Sequence, residues 1–165
     1  MKPPIIDSSP IISLAVIGRL EVLEELYSHF CLPVQVFEEL QFHLTRHISN
    51  AKDLIEALKP RVLILKNALQ SERTAPHPGL GERACLVLAL ETGITNLLIR
   101  DKHAKTYAEQ QGWFCFGTMA LLLSAKKQGL MLELRPYFET FAASGRFYTS
   151  QLLNHVLSLA GEQLL

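Results

Sequence analysis

The side chains whose types and positions point to chemistry in this sequence are carboxylates. Asp7 ends the short apolar run PII, and Asp101 ends the run LLIR. Glu38 and Glu39 sit together in VQVFEELQFHL, and Glu82 follows the GLG turn at the head of ERACLVLALETG. Acids that converge without compensation repel one another and raise some of their pKa values, so such a cluster is reasonable chiefly around a cation. Hard divalent ions take oxygen ligands and commonly hold a phosphate oxygen as well, which makes Mg²⁺ or Mn²⁺ the natural candidate. The matching chemistry is hydrolysis of RNA or DNA phosphodiesters, with the ion generating hydroxide and neutralising developing charge. Each acid also has a structural explanation. Asp7 and Asp101 suit turns or helix caps, Glu38 and Glu39 a solvated helix surface, and Glu82 the positive end of a helix.

These acids meet only if particular elements carry them to one place. Short β-like runs alternate with amphipathic helices, the rhythm of a parallel sheet with helices on its faces. In PIIDSSPIISLA, Ile5 and Ile6 are expected to end a buried strand, with Ser9 capping a helix and Pro10 in its first position. Asp7 then stands at the carboxyl end of the first strand, where α/β sheets bind their ligands, and Asp101 stands at the same edge after a later strand. Phe30 to Leu32 reads as the second strand, with Pro33 opening a helix. ISNAKDLIEALK is helical, and Val62 to Lys66 is a short β run that the pattern leaves unplaced. Residues 67–81, with two prolines and two glycines, form the one long loop. A buried helix ending at Gly93, a surface helix ending at Gly112 and the last strand WFCFG follow, then TMALLLSAKKQGL and two closing helical stretches over about residues 131–165.

The 165 residues, 48% of them hydrophobic, fit one domain spanning 1–165. Sixteen basic residues balance sixteen acidic ones, so any polyanion site is a local patch. Up to residue 60 there are five Lys/Arg against eight Asp/Glu, and from residue 61 eleven against eight, which places phosphate contacts in the second part. The odd number of cysteines, Cys31, Cys85 and Cys115, indicates buried free thiols in a reducing compartment. No apolar run approaches the roughly 20 residues that span a bilayer, so the expectation is a cytoplasmic protein without a membrane association.

The segments IIDSSPIISLAVIGRLEVLEELY, LPVQVFEEL, GLGERACLVLALETG, LLIRDKHAKTYAEQQG and FGTMALLLSAKKQGL, in that order and spacing, resemble the PIN domains. More narrowly they are similar to the branch of bacterial VapC-like PIN domains. The resemblance implies an α/β three-layer sandwich, a central parallel sheet flanked by helices, and metal-dependent cleavage of single-stranded RNA. It assigns the family acids to Asp7, Glu39 rather than Glu38, Glu82 and Asp101, with Ser9 at the small hydroxyl position beside the first. It further implies a homodimer and inhibition by a small antitoxin protein, as in a toxin-antitoxin pair. Two places where relatives often carry further acids are Arg100 and Ala84 here, which implies a weaker second metal site or altered substrate contact. Arg100, Lys102 and Lys105 surround Asp101 and suit substrate phosphates as well as an ordinary charged helix face, and Thr118 after the last strand is a further site candidate.

Other constellations carry less. GLGERA has the spacing G-x-G-x-x-A but follows TAPHP rather than a strand, so a dinucleotide site is rejected. His43 and His47 lie four apart on a helix, without an evident third zinc ligand. No G-x-S-x-G elbow surrounds Ser8 or Ser9, and Ser9 rather than a second acid stands two positions after Asp7, against phosphoryl transfer to that carboxylate. Leu152, Leu153, Val156, Leu157, Leu159 and Ala160 form an apolar stripe that suits core packing, a homodimer face or an antitoxin groove. The alternative to a nuclease is a PIN-like module that binds RNA or protein without efficient turnover.

Overall fold

The computed structural model describes residues 3–63, 79–144 and 148–165. Strand β1 (Ile5–Ile6) is wholly buried, which explains its unbroken apolar character. It pairs in parallel with β4 (Asn96–Leu98), Ile5 opposite Leu97 and Ile6 opposite Leu98. β4 pairs in parallel with β5 (Phe114–Phe116). On the other side of β1 a parallel bridge joins Ile5 to Cys31, with Ile6 N donating to Cys31 O at 2.9 Å and Cys31 N to Pro4 O at 3.1 Å. The chain continues into β2 (Leu32–Pro33), which pairs in parallel with β3 (Val62–Leu63). The strand order is therefore 3-2-1-4-5, with β1 in the centre. The chain winds outward from β1 to β3 and then returns to β4 on the opposite side, making β1/β4 the topological switch point.

Parallel strands need crossovers, and helices supply them. The first crossover holds α1 (Ser8–Val16) and α2 (Val22–Leu26). The second holds α3 (Val34–His47) and α4 (Ala51–Leu58), then a 3₁₀ turn at Lys59–Arg61. In α3 the buried Val36, Leu40 and Leu44 recur every fourth residue, fixing its inner face. α5 (Leu80–Thr92) precedes β4; Ala84 to Ala89 are all buried, and Gly93, at φ 70°, ends the helix in the left-handed region that glycine tolerates. α6 (Lys102–Gln110) joins β4 to β5, and α7 (Thr118–Lys127), α8 (Arg135–Ser144) and α9 (Ser150–Leu159) follow. This is the mixed α/β architecture with helices flanking a parallel sheet that the sequence leads one to expect.

Several boundaries differ, β4 among them, which ends at Leu98 rather than at Arg100. α1 starts at Ser8 with Asp7 in the cap position, so Ser9 does not cap it and Pro10 is its third residue. Proline is tolerated there because amides of the first turn have no intrahelical acceptor. β2 begins at Leu32, Cys31 contributing one bridge and Phe30 none. Of the expected loop at 67–81, residues 67–78 lie outside the described residues, as do Ile64 to Lys66 of the β run, while Leu80 and Gly81 are already helical.

The closing helices are tied back by Glu162. Its Oε1 accepts from Lys126 Nζ at 2.7 Å and from the Leu134 amide at 2.8 Å, and its Oε2 from the Arg135 amide at 2.9 Å. Burial alone raises its pKa, but these donors more than offset that and hold it below the usual carboxylate range. The α9 stripe divides: Leu153, Val156 and Leu157 enter the core, whereas Leu152 and Leu159 face outward. Cys31 and Cys85 are buried and Cys115 partly so, all three as free thiols. Among the described residues no helix is long and apolar enough to cross a membrane.

Candidate active site

Asp7 follows β1 directly, and its amide donates to Leu98 O at 3.0 Å, which holds it at the β1/β4 junction. It is 1% exposed, and neither carboxylate oxygen has a hydrogen-bond partner among the described residues. Although it occupies the cap position of α1, it makes no cap bond; the Ser8 and Ser9 amides lie near enough to draw its pKa down without reaching hydrogen-bond geometry. Burial, then the charges of Glu82 and Glu39, outweigh them and push Asp7 up to about 7. A turn or cap role does not explain a buried carboxylate that caps nothing.

Glu39 is half-buried on α3, while Glu38 is exposed. Ser8 Oγ donates to Glu39 Oε2 at 2.8 Å. Gly81 packs against the same carboxylate so closely that a Cβ there would lie 2.9 Å from both oxygens. The missing side chain is thus what lets the start of α5 approach α3. Glu82 stands in the first turn of α5, its Oε2 folded back over Gly79. Its pKa is raised by burial first and then by Glu39 and Asp101, against a lowering backbone hydrogen bond of its own. Asp101 caps α6, Oδ1 accepting from the Ala104 amide at 2.7 Å. The structural and electrostatic readings hold for it together, because the same carboxylate caps a helix and raises the pKa of Glu82. Asp7, Glu39, Glu82 and Asp101 therefore form one chain of mutually felt charges at the switch point.

Cys85 lies beneath them, fully buried, its thiol pushed well up by burial and then by Asp7, Glu82 and Glu39. It is a neutral wall rather than a nucleophile.

The acids offer hard oxygen donors, and Asp7 presents two buried oxygens without partners, which is the chemistry a magnesium- or manganese-class ion requires. Among the described residues, however, no group of three or more His, Cys, Asp or Glu side chains is drawn together closely enough to hold an ion. Ser8 holds Glu39, the Ala104 amide holds Asp101, and Glu82 leans over Gly79. Nor do the described residues form a zinc set around His43 and His47, whose rings lie 6.2 Å apart.

Ser9 is half-buried and lines a cavity of about 420 Å³ with Ser8, His43, His47 and Arg100. Its hydroxyl bonds no acid among the described residues; Ser8, which sequence reasoning passed over, does so instead. The doubled serine was the signal, and the earlier start of α1 decides which of the two faces α3. Arg100 is exposed, its guanidinium 5.5 Å from the Tyr148 ring centroid. Lys102 and Lys105 are exposed on α6, Lys105 lying 3.7 Å from Glu109. Thr118 is buried at the start of α7 with its Oγ1 unpartnered among the described residues. Arg100, Lys105 and Thr118 line one cavity, and Lys102 does not reach it.

No curated protein and no solved structure matches the chain. A family model described as DUF3368: PIN domain matches residues 3–162, from two residues before β1 to Glu162, with all four acids inside the span. The chain belongs to the PIN-domain family, whose general activity is that of a nuclease.

Proposed function

We propose that this chain is a metal-dependent ribonuclease that hydrolyses phosphodiesters of single-stranded RNA, with Asp7, Glu39, Glu82 and Asp101 as the residues that hold Mg²⁺ or Mn²⁺. The observation that carries the reading is Asp7, a buried carboxylate with neither oxygen partnered and with Glu82 and Glu39 raising its pKa. Such an arrangement costs stability, a cost that a functional site has reason to retain. A divalent ion bound by these acids supplies activation of water and compensation for charge on the phosphodiester. Ser8 restrains Glu39, Gly81 admits the first turn of α5 beside it, and Cys85 is buried close enough to feel the charges of Asp7, Glu82 and Glu39. Ser9, on the cavity wall beside Ser8, is placed to orient a ligand or water.

The VapC-like resemblance supports a toxin role, a homodimer and a small inhibitory antitoxin, and the outward Leu152 and Leu159 of α9 offer apolar surface for either partner. A second reading, a PIN-fold module that binds RNA or protein without efficient turnover, is favoured by the separate anchoring of Glu39 and Asp101. The deciding experiment is cleavage of single-stranded RNA by purified protein with Mn²⁺ or Mg²⁺, against the same reaction in chelator. The nuclease reading expects cleavage only with the ion, and none from Asp7→Asn combined with Asp101→Asn. Cleavage that survives chelation or the double substitution overturns it, whereas RNA affinity without turnover supports the binding module.

A further inference from the structure

The acids leave Thr118 unexplained. It is 3% exposed, and its hydroxyl has no partner among the described residues, an arrangement that costs stability. Thr118 opens α7 directly after Gly117, which offers no side chain to cap the helix. The amides of Thr118, Met119 and Ala120 belong to the first turn, where an α-helix provides no internal acceptor. All three residues line a cavity of about 430 Å³, and Arg100 and Lys105 line it with them. Among the described residues no acidic one is part of its wall.

The two cations are differently held. Arg100 sits over the Tyr148 ring, and the Tyr148 hydroxyl shares a 3.0 Å hydrogen bond with Ser13 Oγ of α1, so the guanidinium is braced from behind. Lys105 has the ion pair with Glu109, both side chains about half exposed, and a pair of that kind yields readily to a stronger anion. Helix amides, a hydroxyl and two cations around one space make a receptor for a tetrahedral oxyanion.

We infer that this cavity is a phosphate-binding site, in which the first-turn amides of α7 and the Thr118 hydroxyl grip the oxygens and Arg100 and Lys105 neutralise the charge. The inference rests on the nuclease reading for the origin of that phosphate, a nucleic-acid strand, because Arg100 immediately precedes Asp101 in the chain and the site therefore adjoins the acids. The phosphate is either an internal phosphodiester or a terminal monoester; the contacts are the same for both.

The test is a titration of the ¹⁵N-labelled protein in chelator, where no turnover occurs, with inorganic phosphate and then with one short single-stranded RNA bearing either a 5′-phosphate or a 5′-hydroxyl. Phosphate is expected to shift the Thr118, Met119 and Ala120 amides in a saturable way. Thr118→Val and Lys105→Gln are each expected to weaken phosphate binding by roughly tenfold, with Thr118→Ser restoring most of the loss. Tighter binding of the 5′-phosphorylated RNA, erased by Thr118→Val, identifies a terminal monoester; equal binding of the two RNAs, weakened alike by Thr118→Val, identifies an internal phosphodiester. The inference is overturned if phosphate leaves those amides unmoved, a result that needs no variant to fold, or if Lys105→Gln and Thr118→Val bind phosphate and both RNAs as the unmodified chain does. Phosphate binding at α7 by a chain that never cleaves RNA defeats the catalytic reading alone. Metal-dependent cleavage with unmoved α7 amides defeats this inference alone.

Discussion

Ser8 Oγ and Glu39 Oε2, thirty-one residues apart in sequence, meet at 2.8 Å and join the start of α1 to the middle of α3 across the carboxyl edge of the sheet. A hydroxyl donating to a carboxylate in a mostly buried setting is worth about 1–2 kcal/mol. Ser8→Ala is therefore expected to lower stability by that amount in urea denaturation and to reduce RNA cleavage. Ser9→Ala, which removes no such bond, is expected to leave stability within about 0.5 kcal/mol of the unmodified chain.

Gly81 separates stability from activity. A Cβ at this position meets both Glu39 oxygens at 2.9 Å, so Gly81→Ala must displace that carboxylate. The displaced group is the end of a flexible side chain, and alanine in place of glycine inside a helix gains about 1 kcal/mol. Displacing Glu39 also breaks its bond from Ser8, so the expected outcome is a melting temperature unchanged or lowered by a few degrees, with cleavage reduced at least tenfold. A loss of stability well beyond that of Ser8→Ala would mean that the backbones of α3 and α5, rather than Glu39, had moved.

Asp7 sets a pH dependence whose sign is unusual for a carboxylate. Its ordinary value is 3.8 and its folded value about 7. Below pH 4 it is protonated in both states and contributes nothing. Between about 4 and 7 the unfolded chain loses the proton while the folded chain keeps it, so stability falls as pH rises. Above 7 the loss is complete. Asp7→Asn in chelator is accordingly expected to stabilise the fold by on the order of 2–4 kcal/mol at pH 8 and by almost nothing at pH 4, while abolishing cleavage. Denaturation of both proteins across that range checks it.

Much of this arrangement was legible in the residues. Asp7 and Asp101 each close an apolar run, and parallel strands carry both to one edge whatever the helices do. Glu39 rather than Glu38 could also have been read from helix phase: with Val36, Leu40 and Leu44 inward, residue 38 points nearly opposite Leu40 and residue 39 flanks it. The hydroxyl on Glu39 could not. Both serines after Asp7 are good caps by type, and only the true start of α1, set by packing against α3, selects Ser8. Nor does local sequence reveal that Gly81 faces a carboxylate, because that contact depends on how two helices from different crossovers approach.

Whether these four acids hold a divalent ion is decided by anomalous diffraction from crystals soaked in Mn²⁺. A peak bonded to oxygens of Asp7 and at least two of Glu39, Glu82 and Asp101 is expected, with Glu82 turned away from Gly79. Saturating Mn²⁺ with no peak there, or with one only at His43 and His47, contradicts that expectation.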